Sequence, residues 1–218
     1  MSIVTMILGD SGSGKTSSIR NLDPKDVLLI QAVDRPLPFK PKGWSVISKE
    51  NPDGSIYVTD VSAKICQAII RTTKKIIVID DFQYTMCNEF MRRVLDNESA
   101  NGVFQKYNEI AKNAWDILTV ASSQANDKRI YVLSHLQHDD FGRSKIKTIG
   151  KLLDDKVTLE GLVSIVFKAQ VINERNVFCT KNSGNDTVKT PIGMFYDAYI
   201  DNDLKVIDDV IYNYYFGE

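Results

Sequence analysis

The chain has 218 residues, 43% of them hydrophobic and 25% charged, which supplies an ample apolar core and excludes a disordered or low-complexity chain. Formal net charge is −1, so attraction to nucleic acid has to come from a local patch and not from the global field. Cys66, Cys87 and Cys179 are odd in number and lack a C-x-x-C pair, and His135 and His138 have no cysteine nearby, so reduced thiols, a cytoplasmic setting and no zinc site are expected.

Residues 3–8 read as a first buried strand, 9–15 as a loop and 16–22 as the start of a helix. The apolar stretch 3–8 is too short for a signal-peptide core, and no run approaches the roughly 18 apolar residues of a membrane span, so no membrane association is expected. Residues 27–32 form a second strand. Residues 35–44 hold Pro36, Pro38 and Pro41, which lack amide donors and predict an irregular surface excursion. Residues 61–72 have helical character, and 75–79 are a third strand whose apolar run ends at Asp80 and Asp81.

The strongest helix signal covers 104–122, with Phe104, Tyr107, Ala111, Ala114, Trp115 and Leu118 on one stripe expected to face the core. Arg92 and Arg93, on a helix before it, read as a solvated face. Residues 129–134 are a fourth strand and 137–151 a loop. Residues 157–171 and 176–180 look β-rich, and 203–215 look like a terminal helix; Tyr212, Tyr214, Tyr215 and Phe216 are expected to close the core, with a subunit contact as the alternative. Apolar strands alternating with helices predict an α/β fold, with a mostly parallel sheet flanked by helices and a β-rich C-terminal part, in one domain over residues 1–218.

Gly9, Asp10, Ser11, Gly12, Ser13, Gly14, Lys15 and Thr16 match G-x-x-x-x-G-K-T in full, with Ser17 following. Glycines let several amides point inward at phosphate oxygens, and a helix beginning at Thr16 would add its positive end. Lys15 can reach the terminal phosphates and the Thr16 hydroxyl can ligate Mg²⁺. The pattern lies between a buried strand and a helix, where that chemistry needs it. ATP and Mg²⁺ are the expected cofactors. No N-K-x-D segment for reading guanine is present.

A phosphate loop of this type takes its second metal contact from an acidic residue closing a neighbouring strand. Asp80 fits that role, holding the ion through a water, and Asp81 can orient the attacking water. The competing reading is that either aspartate caps the helix that follows. Ser134 and His135 end another strand and can sense the γ-phosphate, or His135 can be structural. Phe141, Arg143, Lys145, Lys147 and Lys151 combine an aromatic ring with cations in a stretch without acids, as single-stranded DNA contact requires. A solvated loop or a lid over the nucleotide is the alternative there.

On these motifs the sequence resembles the phage-encoded AAA/RecA-like P-loop ATPases of replication and recombination modules, some of which are single-strand annealing proteins. The resembling stretches are the phosphate loop, the strand ending at Asp80 and Asp81, and residues 33–39, 148–153, 178–181 and 186–195. The resemblance implies a P-loop, RecA-like sheet, ATP turnover coupled to DNA and a homo-oligomer working with phage replication or recombination proteins. It also implies lysines offered in trans to a neighbour's site, for which Lys181 and Lys189 are the candidates. RecA-like enzymes place a catalytic glutamate at the end of the second strand; this chain reads Gln31-Ala32-Val33-Asp34, which leaves Asp34 as the substitute. The catalytic set expected is therefore Lys15, Asp80, Asp81 and Asp34. A small-molecule kinase and a slow nucleotide-gated binding module use the same loop and are the alternative functions.

Overall fold

The computed structural model describes residues 1–95 and 100–217. An eight-stranded sheet is its frame, in the order β10-β9-β8-β1-β5-β4-β2-β3. β1 (Ile3–Gly9), β2 (Val27–Gln31), β3 (Ile56–Val58), β4 (Ile76–Asp80), β5 (Arg129–Ser134) and β8 (Ile165–Ile172) run parallel to their neighbours. β9 (Arg175–Cys179) returns antiparallel to β8, and β10 (Tyr199–Asp201) antiparallel to β9. The C-terminal strands thus extend one edge of a mixed, mostly parallel sheet.

Side-chain parity explains the continuous apolar runs. Val4, Met6 and Leu8 of β1, Ile77 and Ile79 of β4, and Ile130 and Val132 of β5 enter one layer. There they meet Ile65 and Ile69 of α1 (Ser62–Arg71), Phe82 and Met86 of α2 (Phe82–Arg92), and Ile110, Ala114, Ile117 and Ala121 of α3 (Ala100–Ser122). Ile7, Val78, Tyr131 and Leu133 face the other side, against Ile19, Trp44 and the Leu204, Ile207 and Ile211 face of α4 (Leu204–Phe216). Strands buried on both faces have no polar alternation, as a parallel sheet between helices requires. α4 is fixed by a buried cluster: Arg129 donates to both oxygens of Asp208 (2.5 and 2.9 Å), and the Tyr131 hydroxyl donates to the same carboxylate at 2.6 Å.

Several expectations are corrected. The segment after the glycine-rich loop is a six-residue 3-10 turn, Thr16–Asn21, too short to supply the dipole of an α-helix. On α3 the buried face is set by Ile110, Ala111, Ala114, Ile117, Leu118 and Ala121, whereas Phe104 is 70% and Trp115 40% exposed. Tyr212, Tyr214, Tyr215 and Phe216 do not close the core either; each is more than a third exposed. Arg92 and Arg93 are ion-paired, to Asp60 and to Glu89 and Glu109 respectively.

The expected loop at 137–151 contains a hairpin, β6 (Leu136–His138) against β7 (Ser144–Ile146). Asp139 Oδ1 closes its turn by accepting the amides of Phe141 and Arg143 at 2.9 and 2.8 Å. Among the described residues no helix is long and apolar enough to cross a membrane, and the three cysteines are free thiols.

Candidate functional site

Register brings the site together. Leu8 lies opposite Ser134, Ile79 opposite Val132 and Gln31 opposite Asp80, so Gly9, Ser134, Asp80 and Gln31 close four adjacent parallel strands along one edge. Ligands of open α/β sheets collect at that edge. A cleft of about 260 Å³ opens there, lined by Ser11, Gly12, Gly14, Lys15, Thr16, Ser17, Arg35, Pro36, Pro38, Asp81 and His135.

The loop from Gly9 to Lys15 wraps tightly. Gly14 adopts φ +90°, and a Cβ there would collide with the side chain of Asn176 on β9. A Cβ on Gly9 would strike the Ser13 hydroxyl and the Ala169 carbonyl of β8. Lys15 is buried, its Nζ donating to the Gly9 and Asp10 carbonyls at 2.8 and 3.0 Å. Burial lowers its pKa, opposed by the charges of Asp81, Asp80 and Asp10. The ammonium group is thus held at the loop's inner wall with only neutral carbonyl oxygens as direct partners.

Thr16 Oγ1 donates to the Asp80 carboxylate, 3.1 Å from Oδ1 and 3.0 Å from Oδ2. Burial raises the pKa of Asp80, and the Asp81 carboxylate adds to it, against Arg35 and Thr16. Two acids side by side in the interior call for positive charge. Arg35 supplies it, with Nη2 3.3 Å from Asp80 Oδ2 and 3.2 Å from Asp81 Oδ2. Asp81 Oδ2 also meets His135 Nε2 at 3.2 Å, while Asp81 Oδ1 is buried with no hydrogen-bond partner among the described residues. Burial lowers the His135 pKa, and the charge of Lys15 lowers it further against the pull of Asp81. The imidazole is thus biased toward its neutral form. The Ser134 and Ser13 hydroxyls are likewise buried without partners among the described residues.

These donors suit Mg²⁺. Hard oxygens from one hydroxyl and one carboxylate lie about 3 Å apart, so the Thr16 hydroxyl can ligate the ion directly while Asp80 holds it through a water. Among the described residues no group of three or more His, Cys, Asp or Glu side chains could hold a metal ion. Such a two-ligand site suits an ion that arrives with phosphate oxygens and keeps its waters.

The structure therefore gathers Gly9 to Ser17, Asp80, Asp81, Ser134 and His135 at one strand edge. It does not bring Asp34 there: that residue is exposed and lies outside the cleft lining. Lys181 donates to the Phe195 carbonyl (2.7 Å) and Lys189 bridges β8 through its backbone, both away from the lining of this chain's own cleft. The basic stretch divides. Phe141 and Arg143 stand at the hairpin tip with the guanidinium 6.0 Å from the ring, and Lys145 is paired with Asp154 at 2.6 Å. Lys147 is exposed on the strand of chain leaving the hairpin, its amide bonded to the His135 carbonyl. Lys151 lines a separate apolar groove with Phe104 and Tyr107.

Arg35 and Asn176 are the residues that sequence reasoning missed. Arg35 could have been flagged by its place between the second strand and two prolines that wall the cleft; nothing local marks Asn176. No protein-family model matches the chain and no curated protein matches it in sequence, so the reading of this site rests on its own geometry.

Proposed function

We propose that the cleft binds Mg·ATP and hydrolyses it, and that the chain is a RecA-like P-loop ATPase of phage DNA recombination or replication. The observation that carries this is the bond between the Thr16 hydroxyl and the buried Asp80 carboxylate, with Lys15 held beside it. The parallel order β1-β5-β4 sets the loop-bearing and acidic strands one strand apart with both ends at the cleft.

In this reading the amides of residues 9–16 cradle the phosphates, and Lys15 exchanges its two carbonyl partners for phosphate oxygens. Thr16 and Asp80 would hold Mg²⁺, which would supply positive charge to the phosphate chain. Asp81 accepts from the attacking water, with its carboxylate oriented by His135, and the partnerless Ser134 hydroxyl turns toward the γ-phosphate. Asp34, outside the cleft, has no part in the chemistry of this conformation. The hairpin is joined to β5 directly through His135, and His138 approaches Asp10 of the phosphate loop at 3.5 Å. That route supports coupling between nucleotide state and single-stranded DNA held at Phe141 and Arg143, within a homo-oligomer completed by Lys181 and Lys189.

The test is calorimetric titration with Mg·ATP and Mg·GTP, followed by ATP turnover with and without single-stranded DNA. Binding of Mg·ATP with DNA-stimulated turnover is expected. Absence of heat with either nucleotide overturns the reading, and stoichiometric phosphorylation of a nucleoside or nucleotide acceptor would make the chain a kinase.

A further inference from the structure

Arg35 stands on a fixed backbone with a movable end. The Gln31 side chain donates to its carbonyl at 3.3 Å, and the following Pro36 restricts it to an extended conformation. Its side chain is 39% exposed at the cleft mouth. Burial works against its charge, and the two aspartates outweigh that.

Among the described residues the side-chain hydrogen bonds of this arginine all use one nitrogen. Nη2 lies 3.3 Å from Thr16 Oγ1, 3.3 Å from Asp80 Oδ2 and 3.2 Å from Asp81 Oδ2. A guanidinium carries five N–H donors in a planar fork, so three long contacts to one nitrogen leave most of that capacity uncommitted to them. The first two acceptors are also the oxygens that suit a divalent cation. Two cations cannot share the Thr16 oxygen at that position, because the ion needs it as a ligand at about 2.1 Å and needs room for the water it offers to Asp80. Entry of a metal-bound nucleotide therefore displaces the guanidinium. The third acceptor, Asp81, marks where it has to go: toward the reacting end of the phosphate chain, between the metal donors and the water-orienting carboxylate.

We propose that Arg35 is the specificity determinant for a triphosphate over a diphosphate. Its guanidinium rests against the oxygens that suit the metal ion, and on nucleotide entry it moves to the terminal phosphate oxygens as a forked donor. Arginine suits this because its planar fork matches phosphate geometry, which a lysine ammonium does not. The inference rests on the proposed nucleotide site, and its test separates the two.

Affinities for Mg·AMP-PNP, a non-hydrolysable triphosphate, and Mg·ADP are to be measured by calorimetry on the wild-type chain, Arg35→Ala and Arg35→Lys. Thermal melts of each confirm folding. Arg35→Ala is expected to weaken Mg·AMP-PNP by about 10- to 100-fold, the usual loss for a hydrogen bond to a charged group. Mg·ADP should bind as well as before, or better, because the competing cation is gone. Arg35→Lys should restore part of the triphosphate preference. Equal weakening of both nucleotides, or no weakening of either, overturns the role given to Arg35. Failure of the wild-type chain to bind either nucleotide overturns the site itself.

Discussion

The cleft and the hairpin are built from comparable sequence material, a short run of small and charged residues, yet they differ in how firmly their charges are placed. At the cleft, Lys15, Asp80, Arg35 and His135 come from four segments and converge because parallel register fixes the strand ends to which three of them are attached. On the hairpin, neighbours in sequence are separated in space: Lys145 turns to Asp154, Lys151 joins an apolar groove, and Phe141 with Arg143 project from the tip. A motif anchored to strand ends carries its geometry with it. A run of like charges does not: Lys145 settles on Asp154, while Arg143 lies against the Phe141 ring.

The largest effect that sharpens this contrast is on the cleft. Lys15→Ala should lower ATP turnover by about 100- to 1000-fold, the scale of losing a preorganised charged donor, while thermal melting changes little. Phosphate release and a melting curve on the same sample check this. A variant with wild-type turnover would reduce the phosphate loop to a folded turn.

Asp80→Asn keeps the shape and removes the charge. Mg·ATP affinity should fall by about 10- to 100-fold, as for other losses around a metal site. Stability should respond in the opposite direction. The Asp80 pKa is raised in the folded chain by burial and then by Asp81, so the folded state holds this proton more tightly than the unfolded state. The stability linked to it is full below the unfolded pKa and is lost as pH rises through the folded pKa. At pH 7 the asparagine variant, free of that loss, should melt higher than the wild-type chain when both are empty. Lower melting of the variant would mean that Arg35 more than offsets the burial of the charge.

The hairpin's own anchor gives the next effect. Glu160, buried on the turn before β8, accepts the Ile146 amide at 2.8 Å and the Thr187 hydroxyl at 3.2 Å. Glu160→Ala leaves that amide unsatisfied and should destabilise the fold by about 1–3 kcal/mol in denaturant titration, with Mg·ATP affinity retained. Loss of nucleotide binding together with stability would show that the two regions are one mechanical unit.

What the sequence made legible follows the same division. The strands at 3–8, 75–79 and 129–134 announced themselves because burial on both faces leaves unbroken apolar runs, and the loop motif fixed which ends mattered. The stripe on α3 was half right: Ala111, Ala114 and Leu118 are core, but Phe104 and Trp115 are not. Large aromatics weigh heavily in a periodicity count, whereas this helix presents small residues and isoleucines to the sheet. The hairpin was hidden because its strands have only three residues each and its closing bonds come from Asp139, whose partners follow only from the folded turn. Arg35 reaches Asp80 across 45 positions, a pairing that no local pattern encodes.

His135 links the two regions, and its titration tests that link by a smaller signal. Burial and the Lys15 charge lower its pKa, and Asp81 pulls it upward. In an NMR titration its imidazole should therefore change charge below pH 6.5, the ordinary histidine value, and Asp81→Asn should move the midpoint lower still. The stability linked to this group is present above pH 6.5 and is lost as pH falls through the folded pKa. An upward shift in Asp81→Asn would separate His135 from the aspartate.

The smallest effect is expected where the sequence placed the most charge. Lys145 already gives its ammonium to the Asp154 carboxylate at 2.6 Å, and that pair also holds the hairpin against the turn at 152–156. A neutralised lysine contributes little to counterion release from a nucleic-acid backbone. Lys145→Ala should therefore change single-stranded DNA affinity by less than about twofold and leave its salt dependence as it was, whereas each phosphate contact truly lost would lower the log–log slope by about 0.7. Phe141→Ala should weaken the same complex by about fivefold or more if a base stacks on its exposed ring. Equal losses from the two variants would restore the basic run as a single patch and remove the distinction drawn between register-placed and locally paired charge.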